Sequence, residues 1–325
     1  MAAIEATRKP AISSRAAVAL NPVFRKGILL ATHNEMVARG VRRRGMSLGA
    51  ARFVAGETLD ECVVSLRKLN ADGLRTNTTI LGEGVRDEAT AVLVADSYAT
   101  VLDRIAAEGL ITNIALKLTH LGLDLSEEIA YQNVSRLVSH AARYNNFIRL
   151  DMEESARVDI TLRIYRRLRN DGHDNVGTVL QSYLYRTEQD LADLLPLKPN
   201  LRLVKGAYLE SPSVAYPRKS DVDANYLTLA ERMLTGAGFT AIATHDERII
   251  QHVIDFTQRN AIPSDRFEFQ MLYGIRPQLQ LDLVRKGYRV LIATPYGPDW
   301  YFYLMRRLAE RPANILFFAQ NLLRR

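Results

Sequence analysis

Short runs in which apolar residues alternate with polar ones, or crowd together, recur along most of the chain. Longer stretches with apolar residues at helical spacing separate them. The strand candidates are Thr76–Leu81, Asn113–Leu118, Phe147–Met152, Thr178–Ser182, Leu201–Lys205, Thr240–Thr244, Phe267–Met271 and Tyr288–Ala293. They return about every 30 residues, the length that a strand–helix–strand unit needs. Between them, Ala130, Val134, Leu137, Val138 and Ala141 form one stripe behind Ser126, which precedes Glu127 and Glu128 as a helix cap. Tyr226, Leu229, Ala230 and Met233 form a second stripe, and Ile249, Ile250, Val253 and Ile254 a third. Strict alternation of strand and helix predicts a parallel sheet, and eight such units predict a closed (β/α)8 barrel over residues 74–325. The alternative is an open doubly wound sheet. It is disfavoured because no G-x-G-x-x-G follows the first strand.

Ahead of the repeat, residues 1–20 read as a disordered tail and residues 21–73 as helices. Pro22 opens one and Ser47 another. A third follows Thr58-Leu59-Asp60-Glu61, a capping box before Val63, Leu66 and Leu69.

The 325 residues are 47% apolar and 24% charged, so there is ample material for one large core. The lone cysteine, Cys62, excludes an internal disulfide and any multi-cysteine metal site, and no metal is expected. No apolar run reaches the length of a membrane span, and the first residues lack the apolar core of a signal peptide; a cytoplasmic protein is expected. The net charge of +7 is partly concentrated in Arg39, Arg42, Arg43 and Arg44 and in Arg324 and Arg325. Such a cluster is ordinarily solvated surface; it also suits peripheral contact with the acidic inner face of a membrane. A nucleic-acid partner is not expected, and a homo-oligomer is an open alternative to a monomer.

In a barrel of this kind the chemistry lies at the C-terminal ends of the strands. Reading each strand with its period of two turns Asn113, Ala115 and Lys117 inward, then Arg149 and Asp151, then Gln181, then Arg202, Val204, Gly206 and Tyr208. The sixth strand ends at Thr244-His245-Asp246, and the seventh contains Glu268-Phe269-Gln270. Each residue alone has a dull explanation, such as an inward Asp paired with an Arg for structure. Together they aim several cations into one cavity, which implies an anionic ligand. After Pro298, a favoured first helical residue, Tyr303, Arg306, Arg307 and Glu310 share one helix face, where two guanidiniums can grip one carboxylate.

Seven segments then match a known family in order: Leu81-Gly82-Glu83, Leu116-Lys117-Leu118-Thr119, Ile148-Arg149-Leu150-Asp151-Met152-Glu153, Leu201-Arg202-Leu203-Val204-Lys205-Gly206-Ala207-Tyr208, Ala243-Thr244-His245, Phe267-Glu268-Phe269-Gln270 and Tyr303-x-x-Arg306-Arg307. Each alone is common; all seven in sequence are specific. From about Ala51 to Arg311 the chain resembles the proline dehydrogenases, especially the compact monofunctional bacterial ones. The resemblance implies a distorted barrel whose last helix packs over the strand ends. It also implies noncovalent FAD and oxidation of L-proline to Δ1-pyrroline-5-carboxylate, with electrons passed to a quinone-type acceptor. By that likeness Lys117, Arg306 and Arg307 hold the proline carboxylate, with Glu83 and Asp151 orienting them. Tyr208, Leu272 and Tyr303 pack on the ring. Gln181, Arg202, Val204, Gly206, Ala207, Thr244, His245, Gln270 and Glu310 contact the flavin. The family often places a Tyr where this chain has Ala293, so the likeness also predicts looser discrimination against 4-substituted prolines.

Three other readings remain at this stage. One is a Schiff-base aldolase on the same barrel with Lys117 or Lys205 as the amine. Another is a different flavin-dependent barrel reductase. The third is a non-enzymatic binder of nucleic acid or membrane driven by the charge.

Overall fold

The computed structural model describes residues 50–82 and 84–310, with side chains through 305. The chain divides into a unit spanning Arg52–Pro298 and a second unit of Met1–Ala51 and Asp299–Arg325. The expected tail over 1–20, the helix from Pro22 and the basic clusters at Arg39–Arg44 and Arg324–Arg325 lie outside the described residues.

The first unit is the predicted barrel. Its strands are β1 (Arg75–Ile80), β2 (Thr112–Leu116), β3 (Ile148–Leu150), β4 (Val176–Gln181), β5 (Asn200–Val204), β6 (Phe239–Ala243), β7 (Phe267–Leu272) and β8 (Val290–Tyr296). All pair in parallel with their sequence neighbours, and β8 closes the ring on β1 with Arg75 opposite Leu291 and Ile80 opposite Tyr296. Helix α1 (Leu59–Ala71) precedes β1 and packs on β1 and β8. Helices α2 (Glu88–Ala107), α3 (Glu127–Ala142), α4 (Val158–Asn170), α5 (Thr187–Leu194), α6 (Lys219–Thr235), α7 (Glu247–Arg259) and α8 (Pro277–Arg285) fill the seven crossovers. In the second unit, α9 (Trp300–Glu310) is the helix expected after Pro298.

The local signals act as written. Thr58 Oγ1 accepts from the Glu61 amide at 3.3 Å, and Glu61 Oε2 accepts from the amides of Thr58 and Glu57, so the capping box supplies acceptors for three amides at the start of α1. Ser126 Oγ accepts from the Glu128 amide at the start of α3. Strand parity also holds. Ile114, Leu116, Ile148, Leu150, Leu201, Leu203, Phe267, Phe269, Val290 and Ile292 are buried in one apolar core with the helix stripes.

Most strand bounds shift by one to three residues from those expected, and two of the shifts have a clear local cause. β8 runs on through Pro295 to Tyr296, although a proline cannot donate to a ladder. Pro295 lies at the strand's C-terminal end, past the residues that pair with β7, and its carbonyl accepts from the Ala55 amide at 2.9 Å. β2 stops at Leu116; Lys117 stays extended (φ −100°, ψ 138°) and then caps a single 3-10 turn, Leu118–Leu121.

Candidate active site

Parallel strands put all eight C-terminal ends on one side of the barrel, and polar side chains gather there. Arg202, on β5, is 9% exposed; its Nη1 donates to Asp151 Oδ1 at 2.8 Å. Asp151 follows β3, so the pair spans β4 and runs through the barrel interior. Arg202 Nε and Nη2 are buried and have no acceptor. On β4, Gln181 is 3% exposed; its Nε2 donates to the Glu153 carbonyl at 2.7 Å, while its buried Oε1 has no donor. Since Gln181 pairs in register with Val204, two incomplete polar groups stand on adjacent strands.

The chain beyond β5 must pass close to a ring. Gly206 has φ +111°, and a Cβ there would lie 2.3 Å from Tyr183 Cδ1. Only glycine meets both demands. Ala207 and Tyr208 follow, exposed and half-buried. Lys205 Nζ donates to Asp223 Oδ1 on α6 at 2.6 Å and reaches Asp246 Oδ2 at 3.5 Å. Burial works against the Asp223 carboxylate, yet the bonds from Lys205 and Lys219 outweigh it and hold its carboxyl below the usual range. These contacts tie Lys205 to α6 and to the residue before α7, which argues against it as the amine of the Schiff-base reading.

After β6, Thr244 Oγ1 accepts from the Asp246 amide at 3.1 Å. His245 Nε2 accepts from the Leu272 amide at 2.9 Å. An amide can only donate, so Nε2 is unprotonated here and the ring proton is assigned to Nδ1. The same bond ties the end of β7 to the loop beyond β6. On β7, Gln270 Nε2 donates to Glu268 Oε1 at 2.6 Å, and Leu272 pairs with Ala293 of β8.

The barrel thus gathers Lys117, Asp151, Gln181, Arg202, Val204, Gly206, Ala207, Tyr208, Thr244, His245, Gln270, Leu272 and Ala293 on one face. Glu83 lies outside the described residues. Tyr303 is half-buried on α9, whose backbone also carries Arg306, Arg307 and Glu310, with those three side chains outside the description. Asp151 is paired with Arg202, whereas the sequence resemblance had linked it only to the carboxylate-binding cations.

Two features escaped the sequence reading. Glu153 is buried beside the end of β2, and its parity with Arg149 and Asp151 was a signal that could have found it. The Lys205–Asp223–Asp246 link gave no such signal, because Lys205 has the outward parity of β5 and its acidic partners come from two later elements.

A family model described as proline dehydrogenase matches residues 62–320. The chain belongs to the proline dehydrogenase family. It is 41% identical over 303 residues to proline dehydrogenase 1 of Bacillus subtilis (strain 168), covering 93% of this chain and 100% of that one. It is 42% identical over 309 residues to proline dehydrogenase of Deinococcus radiodurans, covering 94% of this chain and 99% of that one. Among solved structures, it matches proline utilization A (PutA) from Bdellovibrio bacteriovorus inactivated by N-propargylglycine, with a TM-score of 0.79 and 25% identity. That match covers 88% of this family member and 36% of the longer PutA chain. The fold and the family therefore agree, and among the described residues no helix is long and apolar enough to cross a membrane.

Proposed function

We propose that the chain oxidises L-proline to Δ1-pyrroline-5-carboxylate with noncovalent FAD and passes the electrons to a quinone-type acceptor. The observation that carries this reading is the incomplete hydrogen bonding at the ends of β4 and β5: two open donors on Arg202 and one open acceptor on Gln181, all buried. Buried polar atoms are nearly always satisfied, so a ligand with complementary groups is called for. The edge of a flavin ring system carries both carbonyl acceptors and an N–H donor, and it fits this donor set. FAD, when bound, supplies the hydride acceptor for the carbon next to the substrate nitrogen.

In this reading Lys117, Arg306 and Arg307 bind the substrate carboxylate, and Glu83 and Asp151 orient those cations. Fixing the carboxylate fixes the ring, and the gain is in orientation. Cations around the substrate nitrogen disfavour its ammonium form and free the lone pair that oxidation requires. Tyr208, Leu272 and Tyr303 cover the apolar ring and exclude water. Arg202 answers negative charge developing at the cofactor. Val204, Gly206, Ala207, Thr244, His245, Gln270 and Glu310 line the cofactor, and Ala293 leaves room beside the C4 edge of the substrate. The quinone supports a location at the inner face of a membrane, reached by peripheral contact through Arg39–Arg44.

The test is the visible absorption spectrum of the purified protein before and after anaerobic L-proline. Flavin bands that bleach are expected. Bands that persist would remove proline as the reductant, and no flavin after reconstitution with FAD would overturn the cofactor.

A further inference from the structure

One buried acid at the strand ends has no part in the mechanism above. Glu153, two residues past Asp151, is 5% exposed. Its Oε1 accepts from the Thr119 amide at 3.2 Å and its Oε2 from Thr119 Oγ1 at 2.8 Å. Thr119 stands two residues after Lys117, inside the single turn Leu118–Leu121. The Glu153 main-chain carbonyl meanwhile accepts from Gln181 Nε2 at 2.7 Å. One residue therefore ties together the chain beyond β2, the chain beyond β3 and the end of β4.

A carboxylate is a costly group to bury, and a neutral side chain would fill the same space more cheaply. What the carboxylate adds is a two-oxygen acceptor that takes both donors of Thr119 at once. That leaves the turn after Lys117 one orientation, and so fixes the direction in which the extended Lys117 backbone presents its side chain. The charged groups acting on Glu153 are Lys117, at the end of β2, and Arg157, just before α4.

We propose that Glu153 is a positioning residue for substrate binding, acting on Lys117 through Thr119. The inference rests on the reading that Lys117 holds the proline carboxylate. Burial pushes the Glu153 carboxyl above its ordinary range, while Thr119 and Lys117 pull it back. When it takes up a proton, Oε2 can still meet the Thr119 hydroxyl as a donor, but both bonds lose their charge assistance, the clamp on Thr119 loosens, and proline binding weakens. The KM for proline therefore rises as pH falls, and the rise begins at a higher pH than an ordinary glutamate would give.

Steady-state kinetics of the holoenzyme with L-proline, from roughly pH 5 to pH 9, read this directly. Glu153→Gln is expected to raise KM about tenfold at neutral pH, as two charge-assisted hydrogen bonds become neutral ones, with kcat within about threefold. The acid rise in KM should flatten. Flavin absorbance should be kept, because the contact with Gln181 is made by the main chain and survives the substitution. Thr119→Val should raise KM about threefold, and Thr119→Ser, which keeps the hydroxyl, should restore it. Lys117→Met separates the two levels of the argument. If it raises KM while Glu153→Gln leaves KM and its pH profile unchanged, the positioning role fails and the substrate reading stands. If Lys117→Met itself leaves KM unchanged, the substrate reading fails and takes this inference with it. Should Glu153→Gln not fold, equal KM values for Thr119→Val and Thr119→Ser would overturn the proposal.

Discussion

Two arginines point into the same barrel and meet opposite fates. Arg149, on β3, is 3% exposed; its Nη1 donates to the carbonyls of Thr178 at 3.0 Å and Asn200 at 2.7 Å, and its Nη2 to Asn200 Oδ1. Its guanidinium also lies 4.8 Å from the centroid of the Phe147 ring. Arg202, on β5, has a carboxylate on one nitrogen and nothing on the other two. The difference lies in what flanks each. Arg149 reaches main-chain oxygens and an amide that the barrel itself supplies, and Gly177 makes room, since a Cβ there would lie 2.5 Å from Arg149 Nη1. Arg202 stands in register between Val179 and Ala241, which offer no polar side-chain atoms. A buried cation closed by its own fold is scaffold. One left with open donors is built for something that arrives later.

The comparison breaks first at Arg149. Burial, and then the neighbouring Arg202, pull its guanidinium down from the ordinary range, with Glu268 and Asp151 pulling back. The bonds to Thr178 and Asn200 help make that burial tolerable. Arg149→Met should therefore cost roughly 3–5 kcal/mol of stability, because the Thr178 and Asn200 carbonyls and the half-buried Asn200 side chain lose three donated bonds at once. Urea unfolding read by fluorescence measures it. Arg202→Gln should do the reverse. It should keep the unfolding midpoint near that of the parent and lower kcat/KM for proline by about 100- to 1,000-fold, the scale of a lost charge-stabilising donor. A variant at Arg202 that unfolds while one at Arg149 loses only turnover would invert the comparison.

The two arginines also mark where sequence reading stops. Period-two parity turned both inward, along with Asp151 and Gln181, and the eight strands emerged because each carries its pattern within a few consecutive residues. The Thr58 capping box was legible for the same reason: its four residues are adjacent. Parity does not report what a side chain meets across the barrel. The acceptor that completes Arg149 is Asn200, 51 residues away, and the register between β3, β4 and β5 brings them together. Glu153 shares the inward parity, but the strand candidate ran only to Met152, so the reading stopped one residue short of it. The roles of Glu83 and Glu310 came from family resemblance alone, whereas Arg306 and Arg307 were also marked by their helical spacing.

The smallest effect extends the closed side of the comparison to a neutral group. Cys62, on α1, is buried with Sγ 3.4 Å from Thr78 Oγ1 on β1. Burial pushes its thiol from 9.0 up to about 11, against a weaker pull from the Thr78 contact. The folded chain thus keeps this proton after the unfolded chain has lost it. Its contribution to stability is complete below pH 9.0 and is lost as pH rises through about 11. The loss is at most about 3 kcal/mol, at ~1.4 kcal/mol for each pH unit of the gap. Tyr98 and Tyr226, whose phenols burial also pushes up, add their own alkaline slope, but they do so in any variant that keeps them. Urea midpoints of the parent and of Cys62→Ala, compared at steps between pH 8 and pH 11, therefore isolate the thiol. The two curves should converge as pH rises, because only the parent has a thiol proton to lose. Parallel curves would mean that solvent reaches Cys62, and closure by the fold's own packing would then hold for Arg149 but not for the α1–β1 contact.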